Sequence, residues 1–569
     1  MRVYEAIVKA LESVGVDAAF GGAGENAAGA MIALKHSTKI RPVIVRHEQA
    51  ASFMACGYAI YSNRLGVCFA TAGPGGFNLF SGLAVAMSDS YPVLAISGYS
   101  RVVWKGKGAL NETSGVNRTP DSQAMFAATT KRSFFLDDIS KTCDVVEAAV
   151  NLAFEGRPGP VHIHVPENLT ENGLVVPNYR DIRLDVAPVR PDPGRVEEIA
   201  AVLADAIDRG EPVVALAGFG AIRSGAGDQV RRFIERFQIP LITTLDGKGI
   251  VPEGHPLCAG VFGDSGHASA RKAFRRAKVV LCIGNALNQH ATFDYHDGLF
   301  DGKVQIRINI SETELTKVYP PDYALVSDAR AGVSALADAL EAKVGEVKTA
   351  HVEAQDYEDR YILDVTDLIH PGRLAQSIGR MLPPDAVLLA DAGAHLAWLG
   401  YYVELAEGQN FRKAGEFGPM AGHVNGALGL KVAHPERTVV VGCGDGCYLL
   451  SGFELMTAVQ YQIPVIWIIF DDEEFKLIKL YQLEAYHETA LVDFQVPDFA
   501  AYARACGADG YRVDTLEAFE DAFRAALGSG RPSVIDAKIT RWAVPHYSPS
   551  PDGPVAGLVE AIEARFRSR

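Results

Sequence analysis

The segment 442–482 places two carboxylates around a glycine turn at a spacing that few folds can accommodate. An apolar strand at 438–441 runs directly into the turn that contains Asp445, so backbone N–H groups are exposed where the strand ends. A helical pattern at 452–461 leads to a second apolar strand, which ends just before Asp472. Parallel strands joined by a helix bring their carboxyl ends to one edge of a sheet. The two carboxylates, 27 residues apart, therefore suit a divalent cation bound through a diphosphate.

An isolated Gly-Asp-Gly is more often a plain surface turn, but the strand–turn–helix–strand context favours a binding site. The segment resembles the diphosphate-binding motif of thiamine diphosphate (ThDP) enzymes, which begins with Gly-Asp-Gly and closes with Asn or Asp. The resemblance implies that Asp445, Asp472 and the backbone carbonyl of Glu474 hold Mg²⁺ against the diphosphate. The family more often has Asn at the position of Asp472. The resemblance also implies cofactor contacts from the turn residues Gly444, Asp445, Gly446 and Cys447.

Composition limits the class of protein and its partners. A chain of 569 residues is too long for one core and fits about three domains. A net charge of −15 argues against nucleic acid or an anionic membrane as a partner. We find no signal-peptide core and no apolar run of membrane-spanning length, so we expect a cytoplasmic protein.

Cysteine and histidine spacing gives no metal motif. The eight cysteines are scattered, as expected for reduced thiols in a core. His162 and His164 alternate on one predicted strand, but no third ligand accompanies them. This favours core histidines over a metal site.

Helical patterns alternate with short apolar strands throughout the chain, which is typical of doubly wound parallel sheets. We predict an α/β protein with three such domains at 1–175, 194–344 and 366–543. Linkers at 176–193 and 345–365 separate them, and a Pro- and Ser-rich tail at 544–569 is a candidate lid. The first and third domains look like distant copies of one unit. The resemblance implies that the first binds the pyrimidine of ThDP and the third its diphosphate.

Glu48 is the main catalytic candidate of the first domain. A lone Glu at a strand–helix junction usually stabilises the helix dipole. Here RHEQAA is followed by ATAGPG, and the pair resembles the pyrimidine-binding domain of the acetolactate synthase and pyruvate oxidase branch. The resemblance implies that Glu48 hydrogen-bonds N1′ of the aminopyrimidine and so promotes formation of the ylid at C2. It also implies cofactor contacts from Gly73 and Pro74, and a substrate pocket bordered by Gly22 and Ala23.

Two positions depart from the family pattern. Glu25 falls where simple 2-oxo acid decarboxylases carry a catalytic Asp; it is either a proton relay or a helix cap, and we favour the cap. Acetolactate synthases carry a Gln upstream of a Thr-Lys pair, and aligning that pair on Thr130 and Lys131 puts Arg118 at the Gln position. Arg118 would offer a positive charge to a carboxylate or larger anion, which puts pyruvate as the acceptor in doubt.

Further segments of the third domain resemble the same family. The strand end AVLLADAG and the turn FGPMAG imply cofactor contacts from Gly393, Ala394, His395, Gly418 and Met420. Met420 is expected to prop the cofactor into a bent shape that brings its reacting groups together. After Asp472, apolar residues recur at roughly helical spacing, which by default indicates a core stripe. In the resembling enzymes this helix borders the substrate pocket, and the residues are Phe475, Leu477, Ile478 and Tyr481.

The middle domain gives weak signs of a dinucleotide. Gly218 and Gly220 follow an apolar strand, but Arg223 stands where the third glycine of GxGxxG is needed. In the family this domain binds FAD in some members, an ADP moiety in a few and nothing in others. Flavin-binding members place an Arg after the strand that matches VVLCIG, and residues 285–288 contain none. FAD is therefore possible but disfavoured.

Over nearly its whole length the chain is identified as similar to ThDP- and Mg²⁺-dependent enzymes of the acetolactate synthase-like branch. The resemblance implies decarboxylation of a 2-oxo acid and carboligation through ylid and enamine intermediates. It also implies active sites between subunits, in a homodimer or homotetramer. One alternative, motivated by Arg118, is a ThDP-dependent carbon–carbon lyase acting on a 2-hydroxyacyl-CoA or an acyloin. Another is a catalytically silent cofactor-binding scaffold, against which the pairing of Glu48 with Asp445 and Asp472 speaks.

Overall fold

The structure is a computed structural model that describes residues 1–171, 173–353, 355 and 368–545. It contains three six-stranded sheets, and all the strand pairs between named strands are parallel. Helices flank each sheet, so the predicted α/β class with three doubly wound domains is confirmed. Most of the predicted second linker, and the predicted tail from residue 546, lie outside the described residues. The domain limits themselves stay a prediction.

The first sheet has the strand order β2-β1-β3-β4-β6-β5. Its strands are β1 (Ala18–Gly21), β2 (Arg41–Ile44), β3 (Gly66–Ala70), β4 (Val93–Tyr99), β5 (Ser133–Phe135) and β6 (Pro160–Pro166). Its helices are α1 (Val3–Ser13), α2 (Ala28–His36), α3 (Glu48–Ala59), α4 (Pro74–Phe77), α5 (Phe80–Asp89), α6 (Ser122–Thr129) and α7 (Thr142–Phe154). Strands β3, β4 and β6 are buried at every position, as expected for central strands covered by helices on both faces.

The second sheet has the order β12-β11-β10-β7-β8-β9. Its strands are β7 (Val213–Ala217), β8 (Leu241–Thr243), β9 (Cys258–Val261), β10 (Val279–Ile283), β11 (Val304–Asn309) and β12 (Tyr323–Val326). Its helices are α8 (Pro193–Asp208), α9 (Phe219–Arg223), α10 (Gly227–Phe237), α11 (Ala268–Arg276), α12 (Glu312–Thr316) and α13 (Ala329–Glu341). The strand order reverses between β7 and β10, the place where doubly wound sheets open a crevice for ligands.

The third sheet has the order β14-β13-β15-β16-β18-β17. Its strands are β13 (Val387–Ala390), β14 (Asn410–Lys413), β15 (Val439–Gly444), β16 (Ile466–Asp471), β17 (Asp509–Val513) and β18 (Ser533–Lys538). Its helices are α14 (Pro371–Met381), α15 (Ala394–Tyr402), α16 (Gly422–Ala433), α17 (Asp445–Ser451), α18 (Leu455–Tyr461), α19 (Lys476–Tyr486), α20 (Phe499–Ala505) and α21 (Leu516–Ser529). Counted from its own first strand, this order is the same as that of the first sheet, which supports the predicted duplication.

One strand is longer than the sequence suggested. We predicted that the strand before the glycine turn ends at Val441, whereas β15 continues to Gly444 and α17 begins at Asp445. Of the two glycines in the extended part of the strand, Gly442 is closely packed. A Cβ on Gly442 would lie 2.4 Å from Cδ1 of Leu399. The turn is therefore shorter than expected, and Asp445 is the first residue of a helix.

Helices α3 and α16 join the first and third domains. A Cβ on Gly57 of α3 would lie 1.8 Å from the carbonyl oxygen of Gly426, and one on Gly429 of α16 would lie 1.8 Å from that of Met54. Glycine is therefore required for the two backbones to come this close. One hydrophobic cluster contains buried residues of both domains, beside a further cluster in each.

The histidines and cysteines lie where the sequence predicts. Ser97 Oγ is 2.9 Å from Nε2 of His162 and 3.0 Å from Nδ1 of His164. Both imidazoles are buried, and burial lowers the pKa of His164 to about 3. They belong to a neutral core network, and the eight cysteines are free thiols. Within the described ranges, no helix combines the length and apolar character needed to cross a bilayer.

Candidate active site

Adjacent strands β15 and β16 bring Asp445 and Asp472 to the same sheet edge, as predicted. Asp445 is 2% exposed and Asp472 is 7% exposed. The Asp445 carboxylate accepts the backbone N–H groups of Gly446 at 2.6 Å and of Glu473 at 2.7 Å. These bonds tie the end of one strand to the end of the other. The carboxylate is thus fixed in place before any ligand binds.

The two carboxylates are under electrostatic strain. Burial, together with the charges of Asp472 and Asp471, raises the pKa of Asp445 to about 8. Burial raises the pKa of Asp472 to about 6, although Lys476, whose Nζ is 3.3 Å from Oδ2, acts in the opposite direction. Buried like charges of this kind need a cation to ionise together. The pair therefore fits a divalent cation with oxygen ligands.

The predicted Mg²⁺ ligands include only two side chains. Among the described residues, no group of three or more His, Cys, Asp or Glu side chains forms a metal cluster. The predicted set adds the backbone carbonyl of Glu474, whose own carboxylate pairs with Lys476 and Lys479. The remaining ligands must then come from a bound diphosphate or water, as is usual for Mg²⁺.

A cavity of about 260 Å³ lies in front of these carboxylates. It gathers residues that the sequence analysis assigned to the cofactor, the metal or the substrate. They are Gly393, Ala394, His395, Gly418, Met420, Gly444, Asp445, Gly446, Cys447, Asp472, Glu474, Phe475, Leu477 and Ile478. None of the described lining residues comes from the first domain. Their roles stay predictions, but their convergence on one cavity is a structural fact.

Features of the cavity fit a bound cofactor. His395 is 5% exposed, yet its Nε2 has no hydrogen-bond partner, and burial lowers the pKa of this imidazole to about 4. A neutral buried nitrogen without a partner is costly unless a ligand supplies one. Gly446 lets Phe475 and Met420 pack against the turn, because a Cβ there would lie 2.7 Å from Cε1 of Phe475 and 3.2 Å from Cε of Met420. The residues thus fit ThDP with its metal.

Asp391 organises this cavity and was missing from the predicted site. It is fully buried at the end of β13, and its carboxylate accepts the backbone N–H groups of Ala392, Ala421, His423 and Val424. These bonds cap α16 and hold the turn that carries Met420. In the sequence, the sign of this role was an Asp directly after an apolar strand.

Glu48 lies in a separate notch at the edge of the first sheet. It begins α3, and its Oε2 accepts a hydrogen bond from Nδ2 of Asn78 at 2.9 Å. A Cβ on Gly22 would lie 2.6 Å from Oε1 of Glu48, and one on Gly75 would lie 3.1 Å from it. A side chain at Gly22 or Gly75 would therefore push against the carboxyl of Glu48. Asn78 was not among the predicted site residues, because only the folded structure brings it next to Glu48.

The other first-domain candidates surround this notch less tightly. Gly73 has a φ of +64° and directly precedes Pro74, the first residue of α4. Ala23 and Glu25 are exposed, and Glu25 is the first residue of a short 3₁₀ helix. Arg118 is exposed in the loop between β4 and α6. The roles proposed for Glu25 and Arg118 stay predictions.

A second cavity, of about 960 Å³, lies between the middle and third domains. It shares Gly393, Gly418, Leu477 and Ile478 with the first cavity, so the two are contiguous. Tyr481, which we placed in the substrate pocket, lines only the second. A substrate larger than pyruvate would have space here.

Charged groups line the region of the middle domain where the sequence gives weak signs of a dinucleotide. Arg412 lies 3.8 Å above the ring of Phe219 and pairs with Asp89 and Asp246. Asp246 and Glu416 both line the passage between the second cavity and a third of about 430 Å³ around Gly218 and Gly220. Arg157, Arg223 and Arg412 line the same third cavity, so its charges are mixed. The expectation that FAD is disfavoured stays a prediction.

Comparison with known proteins identifies the family. Residues 1–119, 200–336 and 391–537 match the N-terminal thiamine pyrophosphate binding domain, the central domain and the C-terminal thiamine pyrophosphate binding domain of thiamine pyrophosphate enzymes. A probable acetolactate synthase large subunit of Methanocaldococcus jannaschii is 30% identical, over 99% of this chain and 96% of that protein. The acetolactate synthase large subunit of Corynebacterium glutamicum is 29% identical over 94% of this chain and 86% of its own, and isozyme 2 of Escherichia coli is 28% identical over 94% of both. The chain belongs to the thiamine diphosphate enzymes, in their acetolactate synthase branch, and is a ThDP-dependent enzyme of the carboligase type.

Proposed function

We propose that the protein is a Mg²⁺-dependent 2-oxo acid decarboxylase and carboligase whose active site forms between two copies of the chain. The observation that carries the proposal is the separation of two prepared half-sites. The metal and cofactor cavity is lined by the third domain, while Glu48 lies in its own notch in the first. A cofactor that needs both half-sites can reach Glu48 from the cavity of a second subunit.

Each half-site has a distinct task in this scheme. Bound ThDP supplies a thiazolium that stabilises the carbanion left by loss of CO₂. Asp445 and Asp472 hold Mg²⁺ against its diphosphate, and their raised pKa values make them dependent on that cation. Asn78 holds Oε2 of Glu48, which leaves Oε1 to share a proton with the pyrimidine ring of the partner-bound cofactor. The notch formed by Gly22 and Gly75 keeps this carboxyl close-packed.

An exposed apolar stripe supports assembly with a second copy. Four exposed apolar side chains follow the metal-binding turn, which we define as residues 444–446. They lie on α17, the next 3₁₀ turn and α18, and are Leu449, Leu450, Phe453 and Met456. Contiguous apolar side chains at a surface usually mark an interface. We assign the stripe to the first domain of the partner, which gives a homodimer or, as a dimer of dimers, a homotetramer.

The net charge and the cysteines support a cytoplasmic enzyme without nucleic-acid or membrane partners. The net charge of −15 disfavours nucleic acid and membrane surfaces, and eight free thiols suit the reducing cytoplasm. Membership of the acetolactate synthase branch supports a small 2-oxo acid as the substrate. The second cavity offers space for an acceptor larger than pyruvate, in line with the departure at Arg118.

Hybrid dimers test the proposal directly. Glu48→Gln and Asp445→Asn should each give inactive homodimers, because each removes one half of both sites. When the two variants are co-expressed with different tags, a mixed dimer contains one intact site. With random pairing about half of the dimers are mixed, so about one quarter of the parental activity should return. No recovery in purified mixed dimers would show that Glu48 and Asp445 do not serve a shared intersubunit site.

The product of the reaction separates the remaining alternatives. With pyruvate alone, acetolactate supports carboligation. Cleavage of an acyloin or a 2-hydroxyacyl-CoA without decarboxylation of a free acid would support the lyase. Tight ThDP binding without turnover across a panel of 2-oxo acids would support the silent scaffold.

A further inference from the structure

Glu454 connects the third domain to the turn that carries Glu48 in the same chain. It ends the 3₁₀ helix Gly452–Glu454 and is 2% exposed. Its Oε1 accepts the backbone N–H of Arg46 at 2.8 Å and that of His47 at 3.0 Å. Its Oε2 accepts a hydrogen bond from the hydroxyl of Thr457. A carboxylate from one domain therefore fixes the two residues that immediately precede Glu48 in another.

Neighbouring contacts act on the same short segment. The hydroxyl of Tyr461 accepts the backbone N–H of Ile44 at 3.0 Å, and Gln460 accepts from the guanidinium of Arg46. Strand β2 is the edge strand of its sheet, so its outer N–H groups have no strand partner. The N–H of Ile44 is bonded to Tyr461 instead, and those of Arg46 and His47, just after β2, to Glu454. The approach to Glu48 is thus set by the third domain of its own chain.

The buried charge of Glu454 needs a reason. Burial raises its pKa, and the hydrogen bonds from Thr457, Arg46 and His47 act against that rise. Hydrogen bonds to an ionised acceptor are strong, and removal of the Glu454 carboxylate takes this acceptor from the N–H groups of Arg46 and His47. These two hydrogen bonds therefore stabilise one particular position of the backbone at residues 46 and 47.

Glu454 lies close in sequence to Asp445, a predicted metal ligand. Asp445 begins α17, and Glu454 follows nine residues later, with α17, the 3₁₀ turn and α18 continuous in sequence. In the proposed dimer, Asp445 and Glu48 of one chain belong to different active sites. Residue 454 is then placed between the cofactor turn of one site and the catalytic carboxyl of the other.

We propose that Glu454 is a positioning residue for Glu48 of its own chain and so links the two active sites of the dimer. The inference rests on the proposed function, because it requires the intersubunit site. It predicts that loss of Glu454 damages the site that uses its chain's Glu48, not the site that uses its chain's metal-binding turn.

Mixed dimers with one live site distinguish these two effects. The live site uses the third domain of a Glu48→Gln chain and the Glu48 of an Asp445→Asn chain. Adding Glu454→Ala to the Asp445→Asn chain should lower kcat at the live site at least tenfold. Adding it to the Glu48→Gln chain should leave kcat within about twofold of the unmodified mixed dimer, because the Glu48 it positions is already absent.

Two further measurements exclude a general loss of structure. Glu454→Gln keeps a carbonyl acceptor for Arg46 and His47, so it should restore most of the activity lost in Glu454→Ala. The Glu454→Ala homodimer should keep the parental mass in light scattering and the parental far-UV spectrum.

The reverse dependence on chain, or an equal loss in both mixed dimers, would overturn the inference, since Glu454 would then act within its own third domain. A mixed dimer without any Glu454 change that has no activity would instead refute the intersubunit site, and this link with it.

Discussion

Removal of the metal should make the stability of the third domain fall as the pH rises, and Asp445 is the reason. In the folded protein the pKa of this carboxyl is about 8, against a usual value of 3.8. Above about pH 4 the unfolded chain has released this proton, whereas the folded chain keeps it until about pH 8. The free energy of unfolding must therefore decrease over that interval and level off above it.

The size of the effect follows from the same linkage. Between pH 7 and pH 9 a group with a folded pKa of about 8 contributes a loss of about 1.4 kcal/mol. Asp536 has a pKa raised to about 8 as well, through burial and its contact with Asp471. The metal-free protein should thus lose about 3 kcal/mol over this range, with about half assigned to each carboxyl. At roughly 2–4 °C per kcal/mol for a domain of this size, each half lowers the melting temperature by about 3–6 °C.

Thermal denaturation of chelator-treated protein measures this directly. Asp445→Asn should remove about half of the decrease in melting temperature between pH 7 and pH 9, and Asp536→Asn the other half. Mg²⁺ with ThDP should cancel only the Asp445 part, because Asp536 is not a predicted ligand. If Asp445→Asn shows the full parental decrease, the proton is not held at Asp445 and the argument for the cation site fails.

Three other predictions concern packing. Gly57→Ala should destabilise the protein by about 1–3 kcal/mol or more, because its Cβ would overlap the backbone of α16. The matched control Gly528→Ala, on an exposed helix face with open space, should instead stabilise it by about 0.5–1 kcal/mol. Urea titration measures the free energy of unfolding of both variants. Gly446→Ala should weaken ThDP binding at least about tenfold in calorimetry while the melting temperature of the apoprotein stays within a few degrees, since the new methyl group would push the side chains of Phe475 and Met420 into the cavity that they line. Leu450→Glu should yield monomers in light scattering with an unchanged far-UV spectrum, and a parental dimer in that variant would remove the apolar stripe from the interface.

The metal-binding turn could be predicted because its signal is local. A strand, a glycine turn and a carboxylate follow one another in sequence, and a second carboxylate follows the next strand, so topology alone places Asp445 beside Asp472. Short edge strands gave no such signal. Strand β17 (Asp509–Val513) has one buried position and β12 (Tyr323–Val326) has one, so neither presents an apolar run.

Residues that act on distant backbone escaped prediction for a different reason. Asp391 caps a helix that begins about thirty residues later, and Glu454 accepts N–H groups about four hundred residues earlier in the chain. Neither contact leaves a periodic pattern, since its partner is a backbone group that every residue type except proline provides. Such residues become visible only when the topology has brought the partners together.

The helix pair α3 and α16 shows why the two half-sites must be considered together. Helix α3 begins with Glu48, and α16 begins two residues after Met420, so the N-termini of both helices carry candidate site residues. In the proposed dimer these two residues serve different sites, yet Gly57 and Gly429 fix the helices at backbone contact. Close-packed interiors do not deform continuously. A shift at this contact must therefore change both active sites at once. Gly57→Ala should then lower kcat at the one live site of the mixed dimer to a similar extent whichever chain carries it, unlike Glu454→Ala.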